Sequence, residues 1–467
     1  MSLCGCSAPD RFVQRVAHNA RTGGSHLNLS TVLIVSYHFY PSNEIGARRV
    51  TALARYLADS GVRVVVVSAF DDRSIQPGSE LLPGIFAVPV KRPTRALLNA
   101  LVALKQRSRP PIALQSGEIS ASRARAVLVS LKGRARDFYF RALYFVDEYK
   151  KWAWRAARVA RRAGKVYGAK VILASGPPHS ALLAGAYAAR RLRIPYVADL
   201  RDPWSDYLAW TSTRTVELAF LRRLERQVLR SAAAITSTGA TVAARLVERD
   251  VDLRSKVHVV RNGYDGPVKR GVQGTHGRLV ILFAGELYVG RDPFPFLEAL
   301  EWLLSQSDVD PSRVQVTFMG RVDSYAGTSL TRWIEDKRCA GVVRILPPQA
   351  PEVVAAAAED STVLLNLAQG QPLSVPAKTY EHLASGREIL LVCEDDCETA
   401  RLVSGIKGVN QVDAVNFQAF TDTLRSLYTR HVVAQQLTSP SELDVVGFSR
   451  DAANRTFFEV LRSVTQQ

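Results

Sequence analysis

The first strong hydrophobic pattern is the run Thr31-Val-Leu-Ile-Val-Ser36, short, continuous and β-branched. Such a run suits a strand buried on both faces of a parallel sheet. A loop over 37–46 follows, with Pro41, Ser42, Asn43 and Gly46 as turn residues, and then a helical rhythm that places Val50, Leu53, Ala54 and Leu57 on one face and stops at Gly61. Residues 62–68 return to the strand pattern, completing a βαβ unit of the kind that binds nucleotides. The alternation resumes with strands over 170–174, 196–200, 234–237 and 257–260, separated by helices over 179–192, 217–231 and 240–249. A polar stretch, 267–277, carries Gly271, Gly274 and Gly277 and suits a linker. Beyond it, strands over 279–285, 314–319, 342–346, 362–367 and 389–392 alternate with helices over 292–304, 327–336, 351–358 and 376–384. The pattern predicts two doubly wound α/β domains, over 31–266 and 278–440. A poorly ordered leader (1–30) precedes them, and a C-terminal helix within 441–467 returns to the first domain. In such folds ligands bind outside the carboxyl ends of the strands.

The 467 residues, 47% of them hydrophobic, are enough for two or three buried cores. No apolar run reaches the roughly eighteen residues of a spanning helix, and the first thirty residues lack a signal-peptide core, so the expectation is a cytoplasmic protein. The net charge of +18 is unevenly spread. Residues 1–260 hold 41 Lys and Arg against 18 Asp and Glu, whereas 261–467 hold 20 against 25. Residues 91–170 alone carry 20 basic and 4 acidic side chains, a field that attracts phosphate-rich partners. Between about 94 and 162 those cations interleave with aromatics such as Phe138, Tyr144, Trp152 and Trp154, the makeup of an amphipathic insertion at an anionic membrane surface or of a solvated helix face over a core. No nucleic-acid motif accompanies the basic stretch, so no nucleic-acid partner is expected. Five cysteines, Cys4, Cys6, Cys339, Cys393 and Cys397, lack zinc-knuckle spacing and read as small hydrophobes, with no metal site.

Candidate chemistry clusters in Val-Pro-Ala-Lys-Thr-Tyr-Glu-His-Leu-Ala-Ser-Gly386. Ser374 is the expected N-cap, Pro376 lies in the first turn, and Gly386 stops the helix. Lys378 and Glu381, three apart, share a face. They could offer a cation to phosphate and a carboxylate to ribose, or they could be a solvated ion pair. His179 follows a strand and two prolines and could bond a donor sugar or an acceptor, or serve as a cap. Gly46 permits close backbone approach or simply makes a turn. Asp202 is an acceptor orienter, a base, or a turn cap. Asp147 and Trp152 read as packing residues.

The helix carrying Glu381 resembles the nucleotide-binding helix of retaining GT-B glycosyltransferases of family 4. The resemblance extends from about Thr31 onward. Phe39-Tyr-Pro-Ser-Asn-Glu-Ile-Gly46 resembles the glycine loop after the first strand, and Val259-Val-Arg-Asn-Gly-Tyr-Asp265 the segment closing the first domain. Phe283-Ala-Gly-Glu-Leu-Tyr-Val-Gly-Arg-Asp292 resembles the first loop of the second domain. Ser175-Gly-Pro-Pro-His179 and Asp199-Leu-Arg-Asp-Pro-Trp204 resemble a bacterial cell-envelope polysaccharide branch. The resemblance implies two Rossmann-like domains facing each other across a cleft, the first binding acceptor and the second a UDP- or GDP-linked sugar. No further cofactor is implied, and the phosphates are held without metal. The implied activity is hexosyl transfer, with retention, onto a lipid-linked or polysaccharide acceptor in capsule, exopolysaccharide or lipopolysaccharide assembly, peripherally at the inner face of the plasma membrane. Gly46, Gly285, Arg291, Lys378, Glu381 and Arg321 become donor-binding candidates, with His179, Arg291, Lys378 and Asp202 catalytic, and Glu381 and Arg291 gripping the donor across a gap between domains. Two positions depart from the family pattern: Leu373 stands where a second glutamate is usual, and Glu286 where an arginine is, with Arg321 or Lys378 as the compensating cation. A nucleotide-sugar 2-epimerase and a non-catalytic nucleotide-sugar-binding protein are the rival readings.

Overall fold

In a computed structural model the apolar runs become strands and the 3.6-residue rhythms become helices. The structure describes residues 29–42, 44–70, 72, 74–92, 146–206, 215–269 and 277–466. The expected leader up to residue 28, the basic segment over 93–145 and the linker residues 270–276 lie outside the described residues. The chain divides into two compact units, one of residues 1–236, 250–258 and 458–467, the other of 237–249 and 259–457.

In the first unit β1 (Thr31–Ser36) is followed by α1 (Ile45–Asp59), β2 (Arg63–Ser68), β3 (Glu80–Leu82) and β4 (Ile85–Pro89). Then come α2 (Lys150–Tyr167), β5 (Val171–Gly176), α3 (Ser180–Leu192), β6 (Tyr196–Leu200), α4 (Thr215–Arg230), β7 (Ala234–Ser237) and, after α5 (Ala240–Arg249), which belongs to the second unit, β8 (Val257–Val259). The sheet runs β3-β4-β2-β1-β5-β6-β7-β8. β1 pairs in parallel with both β2 and β5, setting Ile34 against Val66 and Leu173, and all six residues of β1 are buried. This is why the run carries no alternation: both of its faces are buried. α2 buries Trp152, Ala153, Ala156, Ala157, Ala160 and Ala163, and ends at Gly168 in the left-handed conformation. α2 packs closely on α3, since a Cβ at Gly164 would lie 2.4 Å from Leu192.

The second unit contains α5 and continues with β9 (Leu279–Glu286), α6 (Phe294–Leu304), β10 (Val314–Arg321), the small hairpin β11 (Ser324–Tyr325) and β12 (Thr328–Ser329), and α7 (Leu330–Glu335). Next are β13 (Val343–Leu346), α8 (Pro351–Glu359), β14 (Val363–Leu367), α9 (Ala377–Leu383), β15 (Glu388–Val392), α10 (Glu398–Val403), β16 (Val409–Val412) and α11 (Phe417–Tyr428). The short α12 (Glu442–Val445) follows, and then α13 (Arg450–Gln466), whose residues from 458 onward fall in the first unit. The six strands run β13-β10-β9-β14-β15-β16, every pair parallel. Phe283, Phe296, Phe318 and Phe420 are packed ring to ring in the core under β9, β10 and α11. Each such ring contributes about 2 to 3 kcal/mol by leaving water.

Some local expectations need correction. The helix expected over 327–336 is only α7, because Tyr325 and Thr328 pair in a hairpin first; Ser329 caps it by accepting from Arg332 N. The helix expected from Ser374 begins at Ala377 instead. Its N-cap is Pro376, which holds extended backbone at ψ 138° and offers no side-chain oxygen. The edge strands β3 and β16 were not expected from patterning.

Candidate functional site

The carboxyl end of the second sheet gathers the most chemically directed residues. β9 and β10 lie in register, so Gly285 faces Gly320 and Glu286 faces Arg321. Gly320 has φ +132°, and a Cβ there would lie 1.9 Å from Gly285 O, so the two strand ends approach as only glycine allows. A Cβ at Gly285 would in turn lie 3.0 Å from Lys378 Nζ. Lys378 comes from α9, which Asn366 of β14 anchors by donating to Thr379 Oγ1 at 2.9 Å. Its ammonium donates to Ala284 O at the end of β9.

Three charges communicate here. Burial pushes the Lys378 ammonium below its ordinary pKa, Arg291 pushes the same way, and Glu381 opposes them. Arg291, in the loop after β9, is also lowered by burial, with Tyr288 and Glu286 opposing. Its backbone N donates to Tyr288 O at 2.8 Å, and its guanidinium lies over the Tyr288 ring, 4.3 Å from the centroid. Arg291 Nε is buried with no hydrogen-bond partner, as are Gln369 Oε1 and Glu394 Oε2. Gln369 donates to Asp292 O at 2.9 Å and Glu394 accepts from Gly370 N at 2.7 Å, so the loops after β9, β14 and β15 are tied together around these unused polar atoms. Buried polar atoms of this kind can be satisfied by a polar ligand or by water. His382 is driven down to about 3 by burial and then by Lys378, so it is neutral near pH 7.

The structure thus brings Arg291, Lys378, Glu381 and Gly285 together. Arg291 and Glu381 belong to the same unit, which corrects the expectation that they meet across a gap between domains. Arg321 is placed differently: it is largely exposed and pairs with Glu286 at 3.5 Å. Leu373 is buried, so no carboxylate stands at that position.

In the first unit the carboxyl ends of β1, β5 and β6 surround a buried charge cluster. Asp199 accepts from Arg49 at 3.1 Å, Ser175 Oγ at 2.7 Å and Thr236 Oγ1 at 2.8 Å. Arg201 donates to Gly46 O and Pro177 O, and a Cβ at Gly46 would lie 2.7 Å from its guanidinium. Gly46 therefore admits Arg201, a role the sequence reading did not give it. His179 precedes α3, its ring stacked on Trp204 at 5.2 Å and 4°. Nε2 lies 3.3 Å from Asp202 O; a carbonyl only accepts, so Nε2 carries the proton and Nδ1 the lone pair. Burial holds His179 at about 4 and raises the Asp202 carboxyl, the latter against the pull of Arg201. Asp147 caps α3 by accepting from Ser180 N at 2.7 Å, and Trp152 is fully buried against Tyr37. Arg49 escaped the sequence reading, and Asp199 and Arg201 entered it only within a motif, with no role of their own. The available signal was a pair of opposite charges in and just after an otherwise apolar strand.

Both sheets are largely parallel and carry cations and glycines in the loops at their carboxyl ends. Residues 46–263 match the model of the glycosyl transferase 4-like domain. No curated protein matches the sequence. Solved structures match along nearly the whole chain. A glycosyltransferase from Rickettsia africae is 12% identical with a TM-score of 0.55, covering 94% of this chain and 99% of its own. HepE from Anabaena, in complex with UDP and glucose, is 15% identical with a TM-score of 0.53, covering 93% and 100%. The lipopolysaccharide outer core galactosyltransferase WaaB is 10% identical with a TM-score of 0.59, covering 93% and 99%. At these identities the likeness is one of fold, and the fold is that of GT-B glycosyltransferases. The matched stretch ends within the segment Val259–Asp265, and the Arg291 and Lys378 cluster lies beyond it.

Proposed function

We propose that this protein transfers a hexosyl group from a UDP- or GDP-linked donor to a cell-envelope acceptor, lipid-linked or polysaccharide, with retention and without metal. The observation that carries the reading is the cluster of Arg291, Lys378 and Glu381 at the carboxyl end of β9. Two partly desolvated cations suit a diphosphate, and the neighbouring carboxylate suits ribose hydroxyls. HepE, of the same fold, was crystallised with UDP-glucose, and WaaB is a galactosyltransferase of the lipopolysaccharide core. In the proposed reaction the anomeric C–O bond breaks and its electron pair goes to the diphosphate, whose growing charge Arg291 and Lys378 stabilise. The acceptor oxygen bonds the anomeric carbon on the same face, and its proton passes to the departing phosphate oxygen. In the first unit, the loops carrying Gly46, His179 and Asp202 are assigned to the acceptor, with neutral His179 positioned through its Asp202 contact. The reading places the protein peripherally at the inner face of the plasma membrane.

A non-catalytic sugar-nucleotide-binding protein is the second reading, favoured by buried Leu373 and by the Glu286–Arg321 pair. The test is turnover of a panel of UDP- and GDP-sugars by the full chain. Hydrolysis or transfer supports the first reading, an isomerised donor supports a 2-epimerase, and binding alone supports the second reading. Replacing Arg291 with alanine is expected to lower turnover about 10² to 10³-fold; turnover unchanged by that substitution discards its role.

A further inference from the structure

We propose that the exposed seam between α2 and α3 is the surface by which the first unit docks on an anionic lipid bilayer. The inference rests on the membrane-side reading above and assigns it to particular residues. The buried stripe of α2 is almost wholly alanine, so its cations stand together on the opposite side. Neither α2 nor α3 contains an acidic residue. Where the two helices meet, two hollows adjoin. One, of about 330 Å³, is lined by Trp154, Ala157, Leu183, Ala184 and Tyr187 among others. The other, of about 460 Å³, is lined by Arg158, Arg161, Arg162, Tyr187 and Arg191. Arg158 and Tyr187 border both.

Two observations narrow the partner. Trp154 and Tyr187 are 65% and 42% exposed, costly in water and well placed at a bilayer interface, where an aromatic ring meets apolar chains on one side and headgroups on the other. Each ring is already faced by a guanidinium, Arg158 at 4.0 Å from Trp154 and Arg191 at 5.3 Å from Tyr187. The rings are therefore poor platforms for stacking nucleic-acid bases, whereas an apolar hollow beside a cationic one matches an acyl chain beside its phosphate. Four guanidinium groups around one hollow, with no carboxylate among the described residues paired to them, repel one another until an anionic surface arrives.

The test is co-sedimentation of the full chain with phosphatidylcholine vesicles, with and without phosphatidylglycerol, at about 0.1 M salt. Binding is expected only with the anionic lipid and is expected to fall as salt rises. At about fivefold per cation near a charged surface, R161A/R162A lowers partitioning about 30-fold, while R223A/R254A, which removes two exposed cations elsewhere on the same unit, changes it less than about twofold. W154A weakens binding without changing its salt dependence. Wild-type partitioning by R161A/R162A, an equal loss in R223A/R254A, or binding of inorganic phosphate without binding of vesicles would each overturn the proposal. Far-ultraviolet circular dichroism and turnover of donor in solution are measured on the same variants. Vesicle binding with the expected pattern but no donor turnover by any variant defeats the transferase reading alone; turnover intact with no vesicle binding defeats this proposal alone.

Discussion

Gly285 and Gly320 are register partners, yet alanine should act on them in opposite ways. At Gly320, φ +132° lies where an L-residue costs about 1 to 3 kcal/mol. The new Cβ would start 1.9 Å from Gly285 O, so the strand ends must part by roughly 1.5 Å to reach ordinary contact, weakening one or two ladder bonds worth about 1 kcal/mol each. G320A should therefore lose about 3 to 5 kcal/mol, much of the 5 to 15 that holds a domain together. At Gly285 the obstacle is only the Lys378 ammonium at 3.0 Å, the far end of a flexible side chain. G285A should cost under about 1 kcal/mol in stability. It should nevertheless displace the cation and remove a charge-assisted contact of about 1.5 to 3 kcal/mol, which raises the Kd for UDP about 10- to 100-fold. Urea unfolding monitored by circular dichroism and calorimetric titration with UDP measure the two effects separately. G320A within about 1 kcal/mol of wild type would refute the close-approach argument. An unchanged UDP affinity in G285A would detach Lys378 from the donor.

Burial holds His179 at about 4 against 6.5 in the unfolded chain, so the unfolded state binds more protons below 6.5 and His179 costs stability as pH falls toward 4. The stability of wild type relative to H179Q should accordingly drop by about 2 to 4 kcal/mol between pH 7 and pH 4; a pH-independent difference contradicts the burial argument. Glu398 is 1% exposed and accepts from Ala240 N at 2.8 Å, Thr241 N at 2.9 Å and Arg261 at 2.8 Å, joining the starts of α5 and α10. E398Q puts an amide donor against those donors and should destabilise by about 2 to 4 kcal/mol, read as a lower Tm; a Tm within about 1 °C of wild type counts against the clamp.

How far residues reveal such sites depends on whether the determinant is local. Parallel strands such as Thr31–Ser36 and Leu279–Glu286 were legible because burial on both faces forbids polar interruption over several consecutive positions. The placing of Arg291 in the loop after β9 and of Lys378 at the start of α9 was legible from the alternation of strand and helix patterns. What brings them together was not, because it is the pairing of β9 with β10 and β14, set by contacts far apart in the chain. Gly46 shows the cost of a local reading: its openness looked like space for a ligand, and Arg201, 155 residues later, occupies it. Edge strands such as β3 and β16 were missed because one open side removes the continuous burial that marks a central strand. The basic first half is an intermediate case. Charge counts gave the sign and size of its field, but only the alanine stripe of α2 against α3 turns scattered arginines into one face, and a face can dock where a count cannot.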